Sequence, residues 1–241
     1  MLCNSFYEGK NNNYMFVVMI DKELLNLFES YLTDKRKTLY KKVIAERTRH
    51  FTVVLEDICQ PHNTSAVLRT CDVFGLQDIH TIENKYIKRL SKNVAKGSQK
   101  WITSKRYKSD GNNTKICFEA LREEGYQIIA TIPHRTSCLL QDFDISKKTA
   151  FVFGEEVEGV SDFTKENADG FLKIPMVGFT ESLNISVAAA IILQDVTTKL
   201  RNSDLNWQVS EEEKEMLYFD WLKNSIKKSD IIEEIFYKSK L

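Results

Sequence analysis

Residues 174 to 190 read IPMVGFTESLNISVAAA, and this stretch decides how the fold is interpreted. A short apolar strand from Phe171 to Ile174 runs into Pro175, which has no backbone N–H to donate to a sheet. A polar turn follows, with Ser182 and Asn184, residue types that cap helix starts. The next helix opens with serine and alanine, whose short side chains let another backbone or a flat ligand approach. Alone, the stretch fits an ordinary strand–loop–helix unit with a tightly packed helix equally well.

The same order of strand, polar loop and helix recurs along the chain. Two further buried-type strands, at 51–55 and 149–153, also run into polar loops. Other strands are predicted at 78–83 and 126–132, and helices at 64–74 and 111–124. This alternation predicts an α/β fold, a mostly parallel sheet with helices on both faces. Because ligands bind outside the carboxyl ends of such strands, we expect the three polar loops to form one site.

Helices are also predicted outside this alternating region. One covers residues 22–32, and a second runs from Thr33 or Asp34 to Glu46, with Leu39, Tyr40, Val43 and Ile44 facing inward. The tail has helical apolar spacing and is expected to pack across the domain or on a partner subunit. The predicted divisions are a leader at 1–20, an N-terminal helical extension at 21–48, a central domain at 49–202 and a C-terminal helical extension at 203–241. The leader makes a poor signal peptide, which favours a natural start at Met15 or Met19.

Composition excludes several classes of function. The formal net charge is zero, so any attraction for nucleic acid must come from local patches. The five cysteines show no CxxC spacing, which favours reduced thiols in a cytosolic protein and argues against zinc. No apolar run reaches the roughly 18 residues of a membrane-spanning helix. The sequence also lacks the GxGxxG, GxxxxGK[ST] and GxSxG signatures of dinucleotide, nucleoside triphosphate and hydrolase sites.

Two stretches are strongly basic. The helix at 34–46 carries a face rich in lysine and arginine, which is either a solvated surface or a binding surface. The segment from Lys85 to Lys108 holds nine cations and no acid, and it is predicted to be a flexible loop that grips phosphates rather than one that only aids solubility. The candidate RNA contacts are Arg36, Lys41, Arg47, Lys92, Lys96 and Lys100.

Three segments taken together resemble the motifs of a known superfamily. They are NTSAVLRT at 63–70, FGEEVEGV at 153–160, and IPM at 174–176 with SLNISVA at 182–188. In order and spacing they are similar to the SPOUT superfamily, in its SpoU branch of RNA ribose 2′-O-methyltransferases. The similarity spans roughly residues 34 to 200. The run Pro61-His62-Asn63 and the helices at both ends resemble the tRNA (guanosine-18 ribose 2′-O)-methyltransferases within that branch.

The resemblance implies a fold and a set of partners. It implies a C-terminal trefoil knot at about residues 150–200, bound S-adenosyl-L-methionine, a homodimer, tRNA as the substrate and a cytoplasmic location, with no metal and no membrane. Sequence reasoning alone would have excluded a knot, because threaded chains are nearly absent from proteins. By family position, the cofactor pocket would be lined by Thr131, Gly154, Ile174, Met176 and Leu183.

The resemblance also implies roles for individual residues. Arg69 matches the family's catalytic arginine and would reach the site of the neighbouring protomer. It would act either as a base or, more easily for a group that is always charged, by holding a phosphate and stabilising an alkoxide. Asn63 would orient Arg69 or the ribose. Glu156 stands at the family's glutamate position, with Ser182 and Asn184 opposite it.

The chain departs from the family pattern at one place. Family enzymes often carry two arginines late in the final knot helix, near Thr198 and Leu200, whereas this chain has Lys199 and Arg201, one residue out of phase. If the arginine pair helps to bind tRNA, its absence affects the assignment of tRNA as the substrate more than the assignment of the fold. A ribosomal RNA methyltransferase and a non-catalytic RNA-binding protein on the same fold therefore stay open as alternatives.

Overall fold

The computed structural model describes residues 20–87, 90–133 and 137–240, and its centre is a parallel sheet. In the described part of the chain the sheet has seven strands in the order β3-β2-β1-β6-β4-β7-β5, and each neighbouring pair is parallel. The strands are β1 Phe51–Glu56, β2 Asp78–Ile82, β3 Thr103–Tyr107, β4 Gln127–Thr131, β5 Cys138–Leu139, β6 Thr149–Phe153 and β7 Gly170–Lys173. The predicted α/β class with a mostly parallel sheet is confirmed.

Helices connect the strands and flank both ends of this region. They are α1 Lys22–Ser30, α2 Asp34–Ala45, α3 Pro61–Val73, α4 Lys92–Ala95, α5 Asn113–Glu123, α6 Asp162–Asn167, α7 Ile185–Arg201, α8 Glu211–Ser225 and α9 Ser229–Lys238. Side-chain caps fix several of the starts: Asp21 caps α1, Asn184 caps α7, and Ser210 with Glu213 forms a capping box on α8.

The sheet is buried on both faces, because successive strand residues point to opposite sides. In β1, Phe51, Val53 and Leu55 join the core cluster that contains α3 and α7. Val54 lies in the other cluster, whose helical part comes from Cys117, Phe118 and Leu121 of α5. This arrangement leaves the carboxyl ends of the strands as the edge from which the loops emerge.

The helices from the two ends of the chain share a third core. Leu24 and Phe28 of α1 and Tyr40 of α2 are buried with Leu217 and Trp221 of α8. The tail therefore packs, through α8, on the N-terminal helices. Within α2 one expectation is wrong: Leu39 is 54% exposed, because α8 covers only the side of the helix that carries Tyr40 and Ile44. Of the predicted leader, residues 1–19 lie outside the described residues.

The basic segment at 85–108 is not the flexible loop that its charge suggested. It contains α4, a single 3₁₀ turn at Ser98–Lys100 and the edge strand β3. Charged residues are common on edge strands, where they oppose pairing with another chain, so the basic run concealed the strand. Three of its cations are paired within the protein: Lys85 with Glu158, Lys105 with Glu124, and Arg106 with Glu83. Lys88 and Arg89 lie outside the described residues.

Arg47 is buried, and the prediction that it contacts RNA is wrong. Its side chain is 1% exposed and forms an ion pair with Asp72 near the end of α3. A second guanidinium nitrogen donates to the Leu76 carbonyl at 3.0 Å, and the group lies 5.1 Å from the centre of the Trp221 ring. Arg47 thus ties the terminal helices to α3.

Replacing Arg47 with alanine is expected to lower the free energy of unfolding by about 3 kcal/mol, the low end for a broken buried pair. The low end applies because Asp72 keeps 23% of its side chain exposed and stays partly solvated. Urea unfolding followed by circular dichroism measures the change. The control is Lys37→Ala, which breaks a pair with an Asp34 side chain that is 95% exposed and should leave stability unchanged. Equal stability of the two variants would contradict the prediction.

Candidate active site

Three side chains from three separate loops meet at the carboxyl edge of the sheet. The Asn63 Nδ2 atom donates to Glu156 Oε1 at 2.7 Å. Asn184 Nδ2 donates to the same oxygen at 2.7 Å and lies 3.2 Å from Asn63 Oδ1. The first and third residues lie at the starts of α3 and α7, and Glu156 follows β6. The structure thus brings together three of the five predicted catalytic residues.

Helix starts hold the two asparagines in place. Helix α3 begins at Pro61, three residues earlier than predicted, because proline at the first helical position needs no hydrogen-bond partner. Asn63 therefore lies in the first turn, where its side chain is 1% exposed. Asn184 caps α7, and its Oδ1 accepts from the Ser186 N–H at 2.9 Å. Since Oδ1 is used in the cap, the amide nitrogen of Asn184 faces Glu156.

The loop that carries Glu156 folds back tightly on Gly154. The N–H and C=O of Glu155 pair with those of Gly159 at 3.0 and 2.9 Å, and Gly159 has a φ of +71°. A Cβ atom on Gly154 would lie only 2.2 Å from the Gly159 carbonyl and from the Val160 nitrogen. Only glycine fits at position 154 without a shift of the backbone. On the outer side of the loop, a hydrogen bond from Lys85 lowers the pKa of the Glu158 carboxyl.

A cavity of about 430 Å³ opens beside this loop, between the ends of β4, β6 and β7 and the start of α7. Its volume falls in the usual range for small-molecule sites, roughly 300–1,000 Å³. All five residues predicted to line a cofactor pocket, namely Thr131, Gly154, Ile174, Met176 and Leu183, lie in its wall, together with Ser182 and Glu156.

The character of the wall is mixed. Leu172, Ile185 and Ala188 supply apolar surface, whereas four carboxylates at 155, 156, 158 and 181 lie around the same cavity. Such a lining suits a small molecule with a flat apolar part and a positively charged part. Sequence reasoning did not assign Leu172, Ile185 and Ala188 to the cavity, although Leu172 lies in the predicted strand at 171–174 and the other two lie in the motif at 182–188.

Arg69 stands apart from the cavity of its own chain. It is exposed on α3, on the same side as His62 and Val73, which lie seven and four residues away. Within the described ranges, no carboxylate pairs with Arg69 and it is not part of the cavity wall. A single copy of the chain therefore does not bring the predicted catalytic arginine to the other site residues.

Four of the remaining predicted RNA contacts lie on the surface. Arg36, Lys41, Lys96 and Lys100 are exposed, and Lys92 belongs to α4. By contrast, the cations that stand one residue out of phase with the family pattern contact the protein itself. Lys199 pairs with Asp195 at 2.7 Å, and Arg201 donates to the Phe74 carbonyl at 2.9 Å.

Within the ranges 20–87, 90–133 and 137–240, no group of three or more histidine, cysteine, aspartate or glutamate side chains is arranged to hold a metal ion. In the same ranges, no helix has the length and apolar character needed to cross a membrane.

Comparison with known proteins gives this geometry a family. The model of the SpoU rRNA Methylase family matches residues 50–194. The tRNA (guanosine(18)-2′-O)-methyltransferase of Borreliella burgdorferi is 37% identical over 211 residues, which cover 88% of this chain and 95% of that protein. The Escherichia coli protein of the same name is 30% identical over 183 residues, or 74% of this chain and 78% of that protein.

A solved structure agrees with the sequence comparisons. The A. aeolicus TrmH/SpoU tRNA modifying enzyme has a TM-score of 0.71 and 29% identity, over 81% of this chain and 98% of that one. The family model covers more than half of the chain, including all three loops of the site. The chain therefore belongs to the SpoU methylase family.

Proposed function

We propose that this protein methylates a ribose 2′-oxygen in RNA, with S-adenosyl-L-methionine as the methyl donor and guanosine-18 of the tRNA D-loop as the target. The observation that carries the proposal is the cluster of Asn63, Glu156 and Asn184, in which Glu156 also lies in the wall of a cavity of suitable size. The substrate follows from the named activity of relatives at 37% and 30% identity.

The cavity fits the donor in shape and charge. Its apolar wall suits an adenine ring, and Gly154 lets the backbone at Gly159 and Val160 fold tightly against the end of β6, which shapes the wall. The surrounding carboxylates offset the positive charge of a sulfonium group. When bound, S-adenosyl-L-methionine supplies an electrophilic methyl group. Thr131, Gly154, Ile174, Met176 and Leu183 would hold it.

The protein's own task is to align a ribose hydroxyl and to stabilise the charge that develops on it. Alignment can supply about 7–11 kcal/mol of the barrier. Asn63 is suited to this task because its position is fixed by Glu156 and by burial in the first turn of α3. Ser182 and Asn184 border the same space.

Arg69 completes the site by electrostatics. A guanidinium stays charged at neutral pH, so its suitable role is to hold a phosphate with two parallel hydrogen bonds and to stabilise the forming alkoxide. Because Arg69 is exposed outside the cavity wall, it would serve a cavity in a second copy of the chain. We therefore propose a homodimer, and with it the family's trefoil knot at about residues 150–200.

The surface next to Arg69 supports a dimer. Val73 of α3 is 70% exposed, and Val187 and Ile191 of α7 are 45% and 38% exposed on the neighbouring helix. A second copy of the chain that covers these side chains would bring the Arg69 of each chain close to the other chain. Light scattering at micromolar concentration is expected to give twice the 28.0 kDa mass of the chain. A mass of one chain would contradict the proposed dimer, but it would not bear on the proposal that the cavity binds the methyl donor.

The exposed cations provide the RNA surface. Arg36 and Lys41 on α2, with Lys96 and Lys100, can contact phosphates, and Lys92 of α4 stays a predicted contact. In this proposal residues 21–48 form an RNA-binding extension, residues 49–202 the methyltransferase domain and residues 203–241 a C-terminal helical extension. A cytoplasmic location follows from tRNA as the substrate.

The proposal is tested with tritiated S-adenosyl-L-methionine and unmodified transcripts. Label is expected in tRNA and should be absent from the same tRNA with a 2′-deoxyguanosine at position 18. Label that enters only ribosomal RNA would point to that substrate instead. RNA that is retained on a filter without label, at any donor concentration, would show a binding protein that does not transfer methyl groups.

A further inference from the structure

Strand β1 ends in two consecutive buried acids to which the mechanism above gives no role. Glu56 is 2% exposed and Asp57 is 7% exposed. Both lie at the carboxyl edge of the sheet, on the strand next to β6. Buried carboxylates are costly unless they are well hydrogen-bonded, so the partners of these two residues are informative.

Glu56 holds the far end of the loop that carries Glu156. Its Oε2 accepts from the backbone N–H of Ser161 at 2.9 Å, and its Oε1 accepts from the Ser161 hydroxyl at 2.8 Å. The hydroxyls of Thr164 and Thr114 donate to the same carboxylate at 3.0 and 2.7 Å. Among the described residues, these donors are all neutral. The Glu56 carboxylate thus fixes Ser161, the cap of α6, through hydrogen bonds with neutral donors and not through an ion pair.

The loop between Gly154 and Ser161 has little freedom of its own. It begins at the end of β6, is cross-linked by the Glu155–Gly159 backbone pair, and buries Val160 to 3% exposure before it reaches Ser161. Glu156 lies between these fixed points. Any movement of Ser161 would therefore move the Glu156 carboxylate, which accepts from Asn63 and Asn184. It would also move the backbone of the loop that packs against Gly154.

Asp57 orders the adjacent segment at residues 84–85, which touches this loop through an ion pair whose two side chains are 56% and 64% exposed. The Asp57 φ of +53° is rare for a residue with a side chain, and aspartate is among the types that tolerate it. The Oδ1 atom accepts from the backbone N–H groups of Asn84 and Lys85, both at 2.7 Å. The Lys85 ammonium then pairs with Glu158 on the outer side of the loop.

We propose that Glu56 and Asp57 are positioning residues for methyl transfer. Glu56 holds residues 154–161 through Ser161, and Asp57 supports them through residues 84–85, so that Glu156 meets the two asparagines and the backbone at Gly154 keeps the cavity open. The inference rests on the proposed function where kcat and cofactor affinity are measured. The hydrogen-exchange measurement needs no substrate and is independent of that function.

The test compares Glu56→Ala with Asp78→Ala. Asp78 is also a buried carboxylate, 1% exposed, but it lies at the amino end of the neighbouring strand β2 and pairs with Arg49. We expect Glu56→Ala to lower kcat about 100-fold, the cost of a small misplacement of reacting groups. Its affinity for S-adenosyl-L-methionine, measured by calorimetry, should fall about tenfold. Asp78→Ala should lower Tm and leave both kcat and cofactor affinity of the folded protein unchanged.

Conservative variants separate hydrogen bonding from mere bulk. Glu56→Gln should recover most of kcat, because its amide oxygen still accepts from the Ser161 N–H and the Thr164 hydroxyl, and the Ser161 and Thr114 hydroxyls can turn to accept from its two N–H hydrogens. Asp57→Asn should likewise stay active, whereas Asp57→Gly keeps the backbone conformation but loses the acceptor and should fall with Glu56→Ala. Glutamine or asparagine variants no better than alanine or glycine would overturn the proposal.

Hydrogen exchange distinguishes failure of this inference from failure of the proposed function. Amides of residues 154–161 should exchange faster in Glu56→Ala than in Asp78→Ala, with no ligand or RNA present. Unchanged exchange, or normal kcat in a Glu56→Ala protein of lowered Tm, would overturn the positioning role. Absence of methyl transfer by the wild type would reject the proposed function alone. If Glu56→Ala does not fold, Ser161→Ala and Thr164→Val remove its donors singly and should give the same pattern.

Discussion

An Arg69→Ala variant is expected to lose methyl transfer while it keeps its stability and its affinity for S-adenosyl-L-methionine. The side chain is exposed and outside the cavity wall, so neither the fold nor cofactor binding depends on it. Loss of a group that stabilises charge developing in the transition state lowers kcat by about 10²–10³-fold. Single-turnover transfer of tritiated methyl groups to tRNA measures the effect. The control is Lys115→Ala, an exposed cation on α5 at the opposite face of the sheet, which should transfer normally.

The same variant tests whether two protomers share each site. A mixture of Arg69→Ala and Glu156→Ala chains, unfolded and refolded together, forms dimers in which one site has both intact residues if Arg69 acts across the interface. Activity that returns on mixing supports the shared site. If the mixture stays as inactive as either variant alone, Arg69 serves its own chain.

A Gly154→Ala variant is expected to bind S-adenosyl-L-methionine measurably more weakly than the wild type. The new methyl group would lie 2.2 Å from backbone atoms of Gly159 and Val160, so the loop must move toward or away from the cavity. Overpacking of this kind costs about 1–3 kcal/mol, and a binding loss of that size is a roughly 5- to 150-fold fall in affinity. Calorimetric titration with the cofactor measures it, and tRNA retention on filters should stay normal.

Gly178→Ala is the matched control for this prediction. Gly178 lies in the neighbouring loop after β7, and an added Cβ would meet nothing closer than the Thr180 nitrogen at 4.0 Å. Cofactor affinity in this variant should equal that of the wild type. Equal affinities in both glycine variants would show that the cavity wall at Gly154 does not bind the cofactor.

The alternating pattern predicted the sheet well because each strand is a local feature. Strand β6 has the predicted bounds, 149–153, and most other strands differ at their ends by one or two residues. The convergence of the polar loops also followed from the parallel sheet. The pairing of Asn63, Glu156 and Asn184, however, came from resemblance to a family, since nothing in composition distinguishes these residues from ordinary turn residues.

The predictions failed where distant parts of the chain decide the outcome. Arg47 ends a basic helix, and only the Trp221 ring and Asp72 show that it is buried. The basic segment at 85–108 was taken for a loop, because its cations hid an edge strand whose partner is β2. Leu39 fits a helical apolar stripe, yet the covering helix α8 reaches only the adjacent side.

The core formed jointly by α1, α2 and α8 has a consequence for synthesis of the protein. At about 5–20 residues per second, a ribosome completes α8 roughly 10–40 seconds after α1. Throughout that interval, Leu24, Phe28 and Ile44 lack the helix that later covers them. Until then these apolar side chains form a surface of the nascent polypeptide to which a chaperone can bind.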